Sequence, residues 1–249
     1  MEITSVSNEY VKECAKLSQK KFREESGKFL IEGYKAIKEA YDFGIELVHI
    51  FVNKKSLEEY SFAGDLIIET NEAVLKKIST TESAPNAVAV GLQKKYDKKS
   101  FKKLKKVVLL EDIKDAGNLG TIIRSSVAFG AEGIVLYGGS VDLFNPKVVR
   151  SSVGNLWKIP VMHINSIQEL NEMFVDLERI ATLPRVNNLL NSFVPKIPYL
   201  VMFGSEADGL SQDLIDYSTS SVKIEMAQTV ESLNLATSVS VILYTINNK

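Results

Sequence analysis

An α/β fold in two parts is predicted by three features of the 249-residue sequence. Short apolar runs rich in Val, Ile, Leu and Phe alternate with segments of helical period along both halves. A lysine-dense stretch, KKYDKKSFKKLKK (94–106), divides those halves. Hydrophobic residues make up 45% of the chain and charged ones 24%, which suits a packed core and excludes low-complexity or disordered classes. The expected architecture is a C-terminal, mostly parallel sheet with helices on both faces, preceded by a smaller N-terminal α/β sandwich. The boundaries fall at 1–93, 94–106 and 107–249.

VKECAKL (11–17) reads as a first helix, and FLIEG (29–33) as the strand before YKAIKEAYDFG (34–44), whose Ala36, Ile37, Ala40 and Tyr41 recur at helical spacing before Gly44. LVHIFV (47–52) and LIIET (66–70) are strands, NEAVLKKIS (71–79) a helix, and AVAVGL (87–92) the closing strand. The second half opens on VVLLED (107–112), turns, and continues into a helix, NLGTIIRSSVAFG (118–130), with Asn118 as its expected cap. GIVLYGG (133–139), NPKVVRSS (145–152), KIPVMHI (158–164), a helix near 166–177, RIATLP (179–184), YLVMFGSE (199–206) and SVKIEM (221–226) carry the alternation on. A last helix, ESLNLATSVSVILYTIN (231–247), buries Val239, Ile242, Leu243 and Ile246.

The net charge of −1 conceals an asymmetry, +4 over 1–106 against −5 over 107–249. Eight of the lysines lie in 94–106, interleaved with Tyr96, Phe101 and Leu104. Such a run suits a solvated, self-repelling tether, and it can also track a phosphate backbone; QKKFR (19–23) adds a second basic cluster. Cys14 is the only cysteine, so no intramolecular disulfide or Cys-based metal site can form, which fits a reducing cytoplasm. No apolar run approaches the ~20 residues of a membrane helix, and a soluble, unexported protein is expected. GxGxxG, GxxxxGK[ST] and GxSxG are absent, so the common nucleotide cradles and the serine elbow lack their residues. His49 and His163 lie inside apolar runs, where a packed, hydrogen-bonded histidine is the commoner outcome.

Three clusters follow strand ends, where ligands bind in parallel α/β sheets. DAGNLGTIIRSS (115–126) offers Asn118 and, six residues on, Arg124, one position off the buried Leu119, Ile122, Ile123 and Val127 stripe. FGSEADGL (203–210) makes a tight glycine loop carrying Glu206. IEMAQTVESLNLATS (224–238) places Ser232 and Asn234 in the first turn of an apolar helix, with Glu231 suited to its dipole. Taken singly, each also reads as a capped helix or a routine turn.

The ordered set N-x-G-x-x-x-R-[ST], G-x-E-x-x-G-L and I-x-M-x(5)-SLN resembles the SpoU (TrmH-like) class of RNA ribose 2′-O-methyltransferases in the SPOUT superfamily. RSSVGNLWKIPV (150–161) is similar to that family's Ser-x-Gly segment, and FLIEGYKAIKEA with ISTTESAPNAVAVG resembles its ribosomal-protein-like substrate-binding domain. Ala116, Glu225 and Gln228 depart from the family pattern, which has proline, proline and glycine there. The resemblance implies a trefoil-knotted catalytic domain, S-adenosylmethionine as cofactor, RNA as substrate (ribosomal favoured over transfer RNA) and a homodimer, with neither metal nor membrane. Carried over residue by residue, Gly204, Ile224, Met226 and Leu233 would hold the cofactor, and Asn118, Arg124, Glu206, Ser232 and Asn234 would form the catalytic face. Arg124, charged at any working pH, suits transition-state stabilisation rather than proton removal. The alternative is a catalytically weak or silent RNA-binding protein that keeps the knot, motivated by Glu225 and by Gln228, whose side chain could crowd the pocket; a small-molecule enzyme on an open sheet is a third reading.

Overall fold

The computed structural model describes every residue except Gln228, Glu231 and Lys249. It divides into two compact units, Met1–Lys94 with Asp142–Lys158, and Lys95–Val141 with Ile159–Lys249.

The first unit runs β1 (Glu2–Ile3), α1 (Glu9–Lys16), α2 (Lys20–Ser26), β2 (Lys28–Glu32), α3 (Tyr34–Asp42), β3 (Leu47–Asn53), β4 (Ile67–Thr70), α4 (Glu72–Ile78) and β5 (Ala87–Leu92). Its sheet has the order β1-β4-β3-β5-β2, with β5 antiparallel to both neighbours and the remaining pairs parallel. Asn8 caps α1 by accepting from the Tyr10 and Val11 amides, and Asn71 caps α4 through the Val74 amide. Ala36, Ile37 and Ala40 bury one face of α3, while Tyr34 and Tyr41 stay exposed. Val11, Cys14, Leu30, Phe51, Ile68 and Val88 share a core between α1, α4 and the sheet.

Two sequence expectations change here. QKKFR was expected to present cations, but α2 turns Arg23 inward, leaving it 2% exposed. Its Nε and Nη2 both donate to Asp142 Oδ2, at 2.8 and 2.5 Å, and Nη1 donates to the Leu17 carbonyl. Lys20 and Lys21 meanwhile lie 3.5 and 3.8 Å from Glu24 and Glu25, one turn on. His49 is packed as expected, hydrogen-bonded through Nδ1 to the Tyr10 hydroxyl at 2.7 Å, whereas His163 is exposed, because the strand that carries it lies at a sheet edge.

Burial, aided by Lys28, holds the His49 pKa below its ordinary 6.5. Its neutral form therefore contributes stability above the unfolded value, and that contribution is lost as pH falls through about 6.5 toward the folded pKa. From about pH 7 to about pH 5, the urea midpoint of the wild type is expected to fall further than that of His49→Gln. Equal slopes for the two proteins would remove this account.

The second unit begins at α5 (Lys98–Phe101) and continues through β6 (Lys106–Glu111), α6 (Ala116–Ala128) and β7 (Gly133–Tyr137). The chain then makes an excursion, 142–158, containing α7 (Pro146–Ser151), which packs with the first unit rather than with its sequence neighbours. It returns through β8 (Val161–Ile164), α8 (Ile167–Phe174), β9 (Glu178–Thr182), β10 (Tyr199–Phe203), α9 (Gln212–Tyr217), β11 (Ser220–Val222) and α10 (Leu235–Asn247). The six strands, in the order β11-β9-β10-β6-β7-β8, pair parallel throughout. Continuous apolar runs such as VVLL and YLVMF are what a sheet covered on both faces requires, and every residue of β10 is buried.

The units thus depart from the sequence boundaries at two places. Segment 95–106 joins the second unit and is no free tether: Phe101 is fully buried among Leu109, Leu170 and Phe174, with Tyr96 and Leu104 packed beside it. The excursion joins the first unit through the Arg23–Asp142 pair, Lys158 2.7 Å from Glu39, Arg150 3.3 Å from Glu32, and a hydrogen bond from Trp157 Nε1 to the Ala36 carbonyl. Phe29 packs against both Phe144 and Trp157, with ring centroids 4.7 and 5.5 Å apart.

Candidate active site

After β6 the chain adds strands in one direction, to β7 and β8, then crosses to the other side and inserts β10 beside β6. The carboxyl ends of β6 and β10 thus flank the topological switch point, where ligands bind in such sheets. Helix α6 starts just beyond β6, and its cap is Asp115, whose Oδ1 accepts from the Asn118 amide at 2.7 Å. Asn118 is therefore the third residue of the helix and not its cap. Its side chain is free for other work.

That side chain joins two distant loops. Asn118 Nδ2 donates to Glu206 Oε1 at 2.7 Å, and Asn118 Oδ1 accepts from Asn234 Nδ2 at 3.1 Å. Asn234 is itself the cap of α10, its Oδ1 accepting from the Thr237 amide, so that helix begins at Leu235 rather than at 231. One amide thus binds the three clusters together across 88 and 116 residues of sequence. Lower down, Ser125 and Ser240 are hydrogen-bonded at 2.7 Å, so α6 and α10 also meet along their lengths.

Glu206 stands on a loop closed by paired amide–carbonyl bonds between Ser205 and Gly209, both 3.1 Å. Gly204 lies where this loop crosses itself, and a Cβ there would come within 1.9 Å of the Gly209 carbonyl carbon and 2.1 Å of the Leu210 nitrogen. Backbone atoms cannot swing aside as a side chain can. Gly204→Ala is accordingly expected to open the Ser205–Gly209 closure and to lower unfolding stability by about 1–3 kcal/mol in a urea titration. An unaltered midpoint would mean that the loop relaxes freely.

Arg124 is exposed and makes no hydrogen bond or ion pair among the described residues, and Ser232 is likewise exposed ahead of α10. The structure thus links Asn118, Glu206 and Asn234 directly and leaves Arg124 and Ser232 outside that network. Of the residues expected at the cofactor, Ile224 and Met226 border a crevice of about 600 Å³, whereas Gly204 and Leu233 are not in its lining. Pro184, Arg185 and Leu189, beyond β9, also line it, with Leu189 bridged in parallel to Lys223. Sequence reasoning missed them; the signal was Pro184 stopping the RIATLP strand, again at a carboxyl end. Glu225 lines the crevice, and Gln228, the residue expected to crowd it, lies outside the described residues, as does Glu231.

A nucleoside-sized cofactor fits these residues. The volume lies within the range of small-molecule sites, Ile224, Met226, Pro184 and Val230 supply apolar surface for a purine, and Arg185 and Lys223 supply cations for a carboxylate. Among the described residues no group of three or more His, Cys, Asp or Glu is placed to hold a metal ion, and no helix is long and apolar enough to cross a membrane.

Comparison with known proteins identifies the family and the fold. Residues 105–244 match the model of the SpoU rRNA Methylase family, and residues 8–89 that of the MRM3-like substrate binding domain. An uncharacterised tRNA/rRNA methyltransferase of Synechocystis sp. is 34% identical over 97% of this chain and 92% of its own. The 23S rRNA (guanosine(2553)-2′-O)-methyltransferase RlmP of Bacillus subtilis is 27% identical over 98% of each. Among solved structures, the AdoMet-bound rRNA methyltransferase from Sinorhizobium meliloti is similar with a TM-score of 0.89 at 27% identity, covering 100% of this chain and 97% of that one. The SpoU methyltransferase AviRb from Streptomyces viridochromogenes in complex with AdoMet has a TM-score of 0.88 at 25% identity, over 97% of each chain. With a family model spanning more than half its length and a relative this similar along nearly all of it, the chain belongs to the SpoU rRNA methylase family.

Proposed function

We propose that this protein transfers a methyl group from S-adenosylmethionine to a ribose 2′-hydroxyl of RNA, with ribosomal RNA as the substrate in preference to transfer RNA. The observation that carries the reading is the Glu206–Asn118–Asn234 network at the switch point of the parallel sheet. The family and the rRNA methyltransferases among its relatives support the choice of reaction and of RNA. No observation among the described residues favours the silent RNA-binding alternative.

When bound, S-adenosylmethionine supplies an electrophilic methyl group and needs no metal to do so. Ile224 and Met226 would hold it in the crevice, while Gly204 and Leu233, which do not line it, keep a cofactor role only through the family resemblance. The chain's own task is to position: a hydroxyl must be held about 3 Å from the carbon it attacks, in line with the leaving sulfur. Glu206, fixed by Asn118, presents its second carboxylate oxygen as an acceptor for a ribose hydroxyl. Asn118 and Asn234 hold that carboxylate and the start of α10 at fixed spacing, and Ser232, exposed two residues ahead of Asn234, would add a hydroxyl. Arg124 would take the neighbouring phosphate or the developing alkoxide through its planar fork of donors.

The same reading includes a trefoil knot in the second unit, residues 1–93 as the RNA substrate-binding part, a cytoplasmic location and a homodimer. The exposed face shared by α6 and α10, with Thr121, Val241 and Tyr244 open to solvent, supports the dimer. The decisive experiment incubates the protein with tritiated S-adenosylmethionine and, separately, ribosomal and transfer RNA, then digests to nucleosides. Label is expected in a 2′-O-methylated nucleoside of ribosomal RNA; label on a base, or in transfer RNA alone, would overturn the corresponding part of the reading.

A further inference from the structure

We propose that the lysine turn around α5 is a second RNA contact, remote from the crevice, which grips the phosphate backbone of the substrate outside the nucleotide being modified. The inference rests on the reading above and adds a place and a mode of binding to it. Three observations carry it.

The first is that the turn is built, not tethered. Phe101 is fully buried, Leu104 and Tyr96 pack beside it, Asp97 caps α5 through the Ser100 amide, and Lys98 lies 2.9 Å from Glu169 of α8. Holding such a segment still would cost conformational entropy at the moment of binding if it were a free linker; here folding has already fixed it. The second is where the cations point. With Phe101 and Leu104 turned inward, Lys99, Lys102 and Lys103 are exposed at three- and four-residue spacing and form no ion pair among the described residues. Like charges at that spacing repel one another, and a polyanion laid across them relieves the repulsion. Their surroundings sharpen the contrast, since residues 107–249 carry a net −5 and would otherwise disfavour RNA.

The third is position. The turn precedes the amino end of β6, whereas Asn118, Glu206 and Asn234 all follow carboxyl ends of strands. At about 3.3 Å per residue, β6 alone separates the two ends by about 17 Å. Within one chain these lysines lie away from the Asn118–Glu206–Asn234 network, and an extended polyanion is the occupant whose charge and length suit them. An RNA much longer than its target nucleotide would reach both places, so the turn contributes affinity for large substrates without touching the chemistry.

The test compares wild type with the K99A/K102A/K103A variant, which keeps Phe101, Leu104 and Lys98, in filter binding to purified large-subunit ribosomal RNA over a range of salt. The slope of log affinity against log salt is expected to fall by about 2–3, roughly one per lysine removed, with KM for that RNA raised about tenfold or more at physiological salt. Calorimetry with S-adenosylmethionine and kcat at saturating RNA should both be unchanged. A variant with the wild-type slope and KM overturns the proposal while leaving the methyltransferase reading intact. A wild type that neither binds nor methylates the RNA overturns both. Loss of dimer in sedimentation with the RNA slope preserved would assign the lysines to a second copy of the chain instead.

Discussion

Arg124→Ala is expected to reduce methyl transfer by about 10²–10³-fold while leaving the affinity for S-adenosylmethionine and the folding stability unchanged. The argument begins with helical geometry. Arg124 lies six residues beyond Asn118, about 9 Å along the α6 axis and about 120° around it, which turns it away from both the core stripe and the Asn118 edge. Its guanidinium is exposed and engages no group among the described residues, so its removal breaks no bond of the fold. A permanently charged fork of donors held in reserve suits an anion that arrives with the substrate. Arg124→Lys retains charge but not bidentate geometry, and an intermediate loss is expected. Single-turnover rates with ribosomal RNA, set beside calorimetry, separate these outcomes; undiminished transfer in the alanine variant would remove Arg124 from the reaction.

The largest expected effect on stability lies elsewhere, at Asp142. Asp142→Ala strips the partner from Arg23, which is 2% exposed and cannot reach water without unpacking α2. An uncompensated buried charge of this kind costs about 3–5 kcal/mol, and since Asp142 is itself 16% exposed, a value near the lower limit is expected. Replacing both partners with apolar residues, Arg23→Met with Asp142→Leu, should recover most of the loss, because the pair's attraction largely offsets the cost of taking its charges out of water. Urea unfolding of the single and double variants provides the measurement. A double variant as unstable as Asp142→Ala would show that packing at α2, rather than the stranded charge, sets the loss.

These two residues also mark the limits of what was legible in the sequence. The parallel sheet was legible because strands buried on both faces must be continuous apolar runs, as in VVLL and YLVMF. The network was legible only as an ordered set: Asn118, Glu206 and Asn234 each sit in an ordinary cap or turn, and nothing local says that one amide will bridge them. Local rules also misplaced both helix starts, since Asp115 and Asn118 are equally good caps and so are Ser232 and Asn234; Asn118 is engaged in the network and leaves the cap to Asp115, whereas Asn234 caps through Oδ1 and reaches Asn118 through Nδ2. Arg23 was misread because KKFREE has the charge pattern of a solvated helix, and its partner lies 119 residues away. The apparent tether was misread for the opposite reason. Lysine density suggested solvation, while one buried phenylalanine fixed the segment.

The path of the chain through 142–158 bears on how such proteins can diversify. Because that excursion leaves after β7, completes the first unit with Phe144 and Trp157 against Phe29, and returns at β8, neither unit is a contiguous stretch of gene. A crossover near codon 94 that exchanged the leading part for a relative's would import an aromatic cavity and an Arg23 counterpart with no matching insert. The two parts must therefore be inherited together, and variation in target choice is expected to accumulate by point substitution on exposed surfaces rather than by shuffling of modules.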